Sequence, residues 1–149
     1  MSDTLDVQRQ LRDLADRLER LEKAEVGGIP TTYVPTYLGS VTPGTTTYTI
    51  QVGFYTRIGK LILFNGRLDW TAITGSGNAQ VSLPFTTDGT TNMRYAITVW
   101  SNGVTFANGN LIGLLAPNVA FFTMDSLLTN AAPTTVALEA AGTLIWSGY

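Results

Sequence analysis

Residues 46–72 read TTYTIQVGFYTRIGKLILFNGRLDWTA, and this stretch decides the fold. Threonine, β-branched and aromatic residues fill 46–58, Gly59-Lys60 supplies a turn, and a second such run follows to Ala72. In the second run Ile62, Phe64, Leu68 and Trp70 share one face, while Asn65, Arg67, Asp69 and Thr71 share the other. A period of two with one apolar side predicts a β-hairpin that is core on one face and wet on the other. Leu61 and Leu63 depart from the pattern by setting leucine on the polar side. An apolar outer face at one end of a strand predicts a covering partner, here a subunit interface.

The same texture continues on both sides of the hairpin. Further strands are expected at 79–83, 94–101, 111–115, 120–124 and 135–146, the last from the alternation of Val136, Leu138, Ala140, Leu144 and Trp146. Turn signals separate them: Gly75-Ser76-Gly77-Asn78, Asp88-Gly89, Asn102-Gly103, Asn108-Gly109 and Ala132-Pro133. Short strands with turns at this spacing predict a mainly β domain over 37–149, a jelly-roll-like β-sandwich or barrel.

Residues 1–26 are of a different kind. They hold five Lys/Arg and seven Asp/Glu, so 12 of the chain's 20 charges fall there and the remaining 123 residues carry eight. Ser2 or Asp3 can cap a helix, no Gly or Pro interrupts 3–26, and Gly27-Gly28 followed by Pro30 stops it. With Leu11 at heptad position a, Thr4, Leu11, Leu18 and Glu25 fall at a, and Val7, Leu14 and Leu21 fall at d. This apolar stripe is too narrow for a helix buried in a core and suits a coiled-coil seam about 35 Å long. Asp13 to Arg17, Asp16 to Arg20 and Glu19 to Lys23 are acid-before-base pairs at i,i+4 that support the helix. Residues 27–36, with Pro30 and Pro35, read as an extended linker in which the two glycines allow a hinge.

The run Arg17-Leu18-Glu19-Arg20-Leu21-Glu22 resembles the short trimerisation motif of parallel three-stranded coiled coils. That resemblance implies a homotrimer in which Arg17 reaches Glu22 of the neighbouring chain, with Val7, Leu11, Leu14, Leu18 and Leu21 in the seam. The alternative is a solvated helix with a fortuitous alternation of Arg and Glu.

Composition excludes several functions. With no histidine and no cysteine in 149 residues, the chain cannot hold serine–histidine or cysteine–histidine catalytic pairs, disulfides or thiolate metal sites. A net charge of -2 gives no electrostatic reason to expect nucleic acid. The charged start lacks a secretory h-region and no apolar run reaches the length of a membrane span, so neither signal-peptide export nor membrane insertion is expected.

Candidate chemistry is sparse. Asp69, Asp88, Asp125 and Glu139 are the knob carboxylates that could form a glycosidase pair, but no spacing supports one over surface and turn roles. Residues 88–92 are too poor in ligands for a calcium loop, and Gly75-Ser76-Gly77 lacks the Lys and helix of a phosphate cradle. Tyr33, Tyr37, Trp100, Phe106 and Tyr149 could stack on sugars, although aromatics are more often core or interface residues. No residue is assigned as catalytic, metal-binding or cofactor-binding, and no cofactor is expected.

Tyr55-Thr56-Arg57-Ile58-Gly59-Lys60, Asn65-Gly66-Arg67-Leu68, Trp70-Thr71, Thr74-Gly75-Ser76-Gly77-Asn78, Leu83-Pro84-Phe85 and the ending Gly142-Thr143-Leu144 with Trp146-Ser147-Gly148-Tyr149 occur in that order. Together they resemble β-domains of tailed-bacteriophage fibre, spike and head-decoration proteins. The resemblance implies trimeric knobs, often jelly rolls of the tumour necrosis factor type, mounted on a coiled coil. It implies a structural virion role, assembled in the host cytoplasm, with capsid or tail proteins and a host surface glycan as partners, and no enzyme activity. Short stalk and single knob favour a short spike or capsid decoration. A receptor-binding fibre tip and a glycan depolymerase spike are the alternatives.

Overall fold

The computed structural model describes residues 2–25, 28–90, 93–106, 109–127 and 132–149. Among these residues one helix, α1 (Ser2–Glu25), precedes ten strands: β1 (Thr31–Tyr33), β2 (Tyr37–Gly39), β3 (Thr46–Ile58), β4 (Leu61–Ile73), β5 (Ala79–Ser82), β6 (Tyr95–Asn102), β7 (Asn110–Leu115), β8 (Phe121–Leu127), β9 (Thr134–Thr135) and β10 (Gly142–Gly148). The protein is therefore mainly β with one helix, as its sequence predicts. Among the described residues no helix is long and apolar enough to cross a membrane.

All ladders are antiparallel and belong to one curled sheet, in the order β1-β3-β4-β10-β6-β7-β8-β5-β2, with β9 paired to β8. Its two edge strands, β1 and β2, are consecutive in the chain. Only Val34, Pro35 and Thr36 separate them, so the sheet must curl until its edges nearly meet. Side chains bridge that seam where no backbone ladder runs. The Tyr37 N–H donates to the Tyr48 hydroxyl (2.6 Å), Thr46 Oγ1 donates to the Tyr37 carbonyl (2.7 Å) and Gln51 Nε2 donates to the Pro35 carbonyl (2.8 Å). Register shifts at Tyr48 in the β3–β4 pair supply the local bend.

The β3–β4 hairpin forms as the sequence predicts, with Ile58 opposite Leu61 across the two-residue loop Gly59-Lys60. Gly59 has φ of +61°, the left-handed region that the first position of a type II′ turn requires. On β4, Phe64, Leu68 and Trp70 are buried, whereas Leu61 and Leu63 face outward and are exposed, both as expected.

Two strand glycines are explained by aromatic cover. One rung runs Tyr33, Gly53, Gly66, Trp146, Val99 across β1, β3, β4, β10 and β6. A Cβ on Gly53 would lie 2.4 Å from the Tyr33 ring and one on Gly66 would lie 2.3 Å from the Trp146 indole. The rings thus occupy the volume that the missing side chains leave, which closes the core without a void. Trp146 also packs on Phe122 from β8, at 5.7 Å between ring centroids, tying the two halves of the sheet together.

Two sequence expectations need correction. The single strand expected over 135–146 is two short elements, β9 and β10, separated by 136–141. Val136 stays buried there because its N–H donates to Met124 O (2.8 Å) while its carbonyl accepts from Ala79 N (2.9 Å). Leu138 N–H donates to Gly77 O (3.1 Å), so the segment leaves β8 and crosses over before Gly142 joins β4. Alternation of apolar residues survives this change of partner, which is why it reads as one strand. The second concerns 31–33, read as linker, where β1 pairs with the middle of β3. Gly28 lies against β3 as well, since a Cβ there would meet the Arg57 carbonyl at 2.3 Å. Gly27 lies outside the described residues.

Tyr37 anchors the seam from inside. It stacks on Trp70 (4.2 Å, 34°), and its hydroxyl accepts from Glu139 N–H (3.2 Å) while Trp70 Nε1 donates to Glu139 O (3.0 Å). Burial pushes the Tyr37 phenol up to about 12, and burial does the same to Tyr33, partly offset by the nearby Trp146 N–H. Below pH 10 these phenols are protonated in both folded and unfolded chains. Between pH 10 and about 12 the unfolded chain releases protons that the folded chain keeps, so stability falls as pH rises. The slope for Tyr37 is up to about 1.4 kcal/mol per pH unit. Thermal melts from pH 9 to 12, read beside tyrosinate absorbance, should show the last tyrosines ionising together with unfolding.

Candidate functional site

The most conspicuous feature of α1 is an apolar stripe that nothing covers among the described residues. Val7, Leu11, Leu14 and Leu18 fall at a and d spacing on one helical face and are between 54% and 62% exposed. A lone surface leucine is ordinary, but four aligned over three turns form a continuous apolar seam. Arg17 is also exposed. Leu21 and Glu22 belong to the last turns of α1, and their side chains lie outside the described residues.

A second apolar surface lies on the outside of the sheet. Strand alternation puts Val52, Arg67, Ile145 and Trp100 on one outward rung across β3, β4, β10 and β6, and Phe54, Asn65, Ser147 and Thr98 on the next. Phe54, Leu61, Leu63, Ile145 and Trp100 are all exposed, Trp100 at 56%. The charge on this face is internally balanced. Arg67 donates to Asp69 from Nε (3.0 Å) and Nη2 (2.6 Å), and these hydrogen bonds hold the Asp69 carboxyl below the usual carboxylate range. Such a neutralised pair in an apolar field suits contact with another protein surface better than steering of a charged ligand.

A cleft of about 600 Å³ opens at the hairpin end of the sheet. The β3–β4 turn contributes Arg57 and Lys60, the segment after β5 contributes Phe85 and Asp88, β6 contributes Tyr95, and Tyr149 closes one side. Its wall is built rather than loose: Thr87 N–H donates to Val119 O (2.9 Å), Thr87 Oγ1 donates to Ala116 O (2.6 Å), and Phe85 meets Phe64 edge to face at 5.3 Å. Arg57 Nε donates to Gly59 O (3.0 Å), which orients the guanidinium and leaves its terminal nitrogens available. Neither Arg57 nor Lys60 forms an ion pair among the described residues.

The structure sorts the aromatic candidates. Tyr37 is buried, Tyr33 and Phe106 are half-buried, and Trp100 and Tyr149 are exposed, the first on the sheet face and the second at the cleft. The knob carboxylates occupy four different settings. Asp69 is held by Arg67, Asp88 lines the cleft, Glu139 Oε1 accepts from Thr105 N–H (3.1 Å), and Asp125 is buried on β8 with Oδ1 unbonded among the described residues. No group of three or more metal-ligating side chains occurs among the described residues. Of residues 88–92, positions 91 and 92 lie outside that set.

Gly75-Ser76-Gly77 works as a clasp. Ser76 N–H donates to Thr42 O (3.0 Å), Val41 N–H donates to Ser76 O (3.1 Å), and Gly77 takes φ of +96° against Ser40 and Val41. The Ser76 amide is thereby spent inside the fold. Local sequence carries little sign of the cleft, because its residues come from five separated segments; the one signal is that Arg57 and Lys60, half of the knob's four Lys/Arg, lie at a single turn. No protein-family model matches the chain, and neither does any curated protein or solved structure.

Proposed function

We propose that the protein is a homotrimeric structural protein of a tailed-phage virion, a short fibre or spike or a capsid decoration that binds the particle and displays a β-knob. The observation that carries this reading is the unpacked a/d stripe of α1. A single helix with four exposed seam residues has no folding reason to exist alone, and isolated helices of this length are marginal in water. Three copies would bury the stripe in a parallel coiled coil, with Arg17 paired to Glu22 of the next chain. The knobs would pack through the outward rungs of β3, β4, β10 and β6 in a jelly-roll trimer of the tumour necrosis factor type. The virion assignment rests on the resemblance of the ordered β-domain segments. Immunogold labelling of purified particles with antibody to the knob tests it. Label at fixed capsid or tail positions is expected, and absence of the chain from washed particles would overturn the assignment.

A second reading, a receptor-binding tip for host surface glycan, is favoured by the cleft, where exposed Tyr149 stands beside two cations that form no ion pair among the described residues. Trimer symmetry would multiply weak contacts into useful avidity.

A further inference from the structure

We infer that the cleft at the β3–β4 hairpin end is a binding site for a carboxylate-bearing saccharide. This rests on the glycan-binding reading above and adds the site and the ligand class. Three observations on the cleft converge. Its volume, about 600 Å³, lies within the usual range for small-molecule sites, roughly 300–1,000 Å³. Its apolar lining mixes aliphatic Leu61, Ile62 and Leu115 with aromatic residues, of which Phe85, Tyr95 and Tyr149 offer ring surface of the kind on which the C–H face of a pyranose stacks. Its polar groups are of both kinds that an acidic sugar needs. Arg57 offers terminal guanidinium nitrogens to a carboxylate, in the planar geometry that suits bidentate pairing, and Lys60 adds a second charge. Asp88 supplies acceptor oxygens for sugar hydroxyls.

The cleft's side chains favour an acidic over a neutral sugar. The stalk holds all of the chain's net negative charge and the knob is neutral overall, yet the ionised side chains of this cleft sum to +1 because half of the knob's cations are gathered there. Away from the cleft, on the outer face of the sheet, the Arg67 guanidinium is neutralised by Asp69, whereas Arg57 and Lys60 have no such partner among the described residues. Two cations that form no ion pair among the described residues, set beside aromatic rings, are complementary to a carboxylate on a sugar ring.

The test uses the full chain on an array carrying sialylated and uronic-acid saccharides, their uncharged counterparts, and polyglutamate as an acidic peptide. Binding restricted to carboxylate-bearing saccharides is expected, reduced at least tenfold in the Arg57→Ala/Lys60→Ala double variant and in Tyr149→Ala. These side chains are exposed, so circular dichroism and sedimentation should match the parent; Lys60→Ala alone provides a milder second variant. Equal binding of uncharged saccharides or of polyglutamate would overturn the ligand class. Saccharide binding that ignores all three variants would overturn the site while leaving the glycan-binding reading intact. Failure to bind any saccharide would overturn both.

Discussion

Replacing Leu14 and Leu18 together with aspartate is expected to dissolve the stalk while leaving the knob folded. Both leucines are exposed on the single chain, so within one α1 the change costs only helix propensity and a like-charge i,i+4 pair, about 1 kcal/mol together. In a three-stranded seam each sits in contact with two neighbours. Burying a leucine contributes about 1.5–3 kcal/mol, and a charge placed at the same position adds repulsion among three carboxylates. Two such layers are lost from a seam of about three heptads, which exceeds what so short a coiled coil can hold. Ellipticity at 222 nm should fall toward that of an unfolded 24-residue segment, while near-ultraviolet signals from Trp70 and Trp146 stay as they were. Unchanged helicity in the variant would mean that α1 is stable without a seam.

Trp146→Ala is expected to be the most damaging single change in the knob. The indole is buried, covers the Cα of Gly66, packs against Phe122 and joins the β10 rung to both β4 and β6. Truncating a buried tryptophan typically costs about 3–5 kcal/mol, a large fraction of the stability of a domain this size. Here the loss is compounded because Gly66 has no side chain to relax into the space. Trp146→Phe should cost clearly less. The Trp146 N–H makes no hydrogen bond of good geometry among the described residues, so phenylalanine forfeits ring volume and the weak influence of that N–H on Tyr33. Urea titrations of the two variants check this ordering, and an alanine variant as stable as the phenylalanine one would contradict the role assigned to the ring.

What the sequence reveals follows from the range of each interaction. The β3–β4 hairpin is legible because its signals are local: alternation along each strand and a glycine at the one position that needs a positive φ. The outward placement of Leu61 and Leu63 is legible for the same reason. β1 and β2 are hidden, because three-residue strands between prolines carry no periodicity and are defined only by the distant strands they meet. The break between β9 and β10 is hidden too, since Val136 keeps the alternation while changing partners. Tyr37 illustrates the general limit. Its aromatic character announces burial or stacking, and only the seam, where Thr46, Tyr48, Trp70 and Glu139 converge from three parts of the chain, decides that it is core. The cleft is legible least of all, being assembled by the curl of the sheet.

We propose that the exposed seam of α1 and the apolar outer face of the sheet are covered by two further copies of the same chain. Sedimentation equilibrium of the intact protein at micromolar concentration tests it most directly. A single species at three times the 16.0 kDa chain mass is the predicted result, and a 16.0 kDa monomer at that concentration would contradict it.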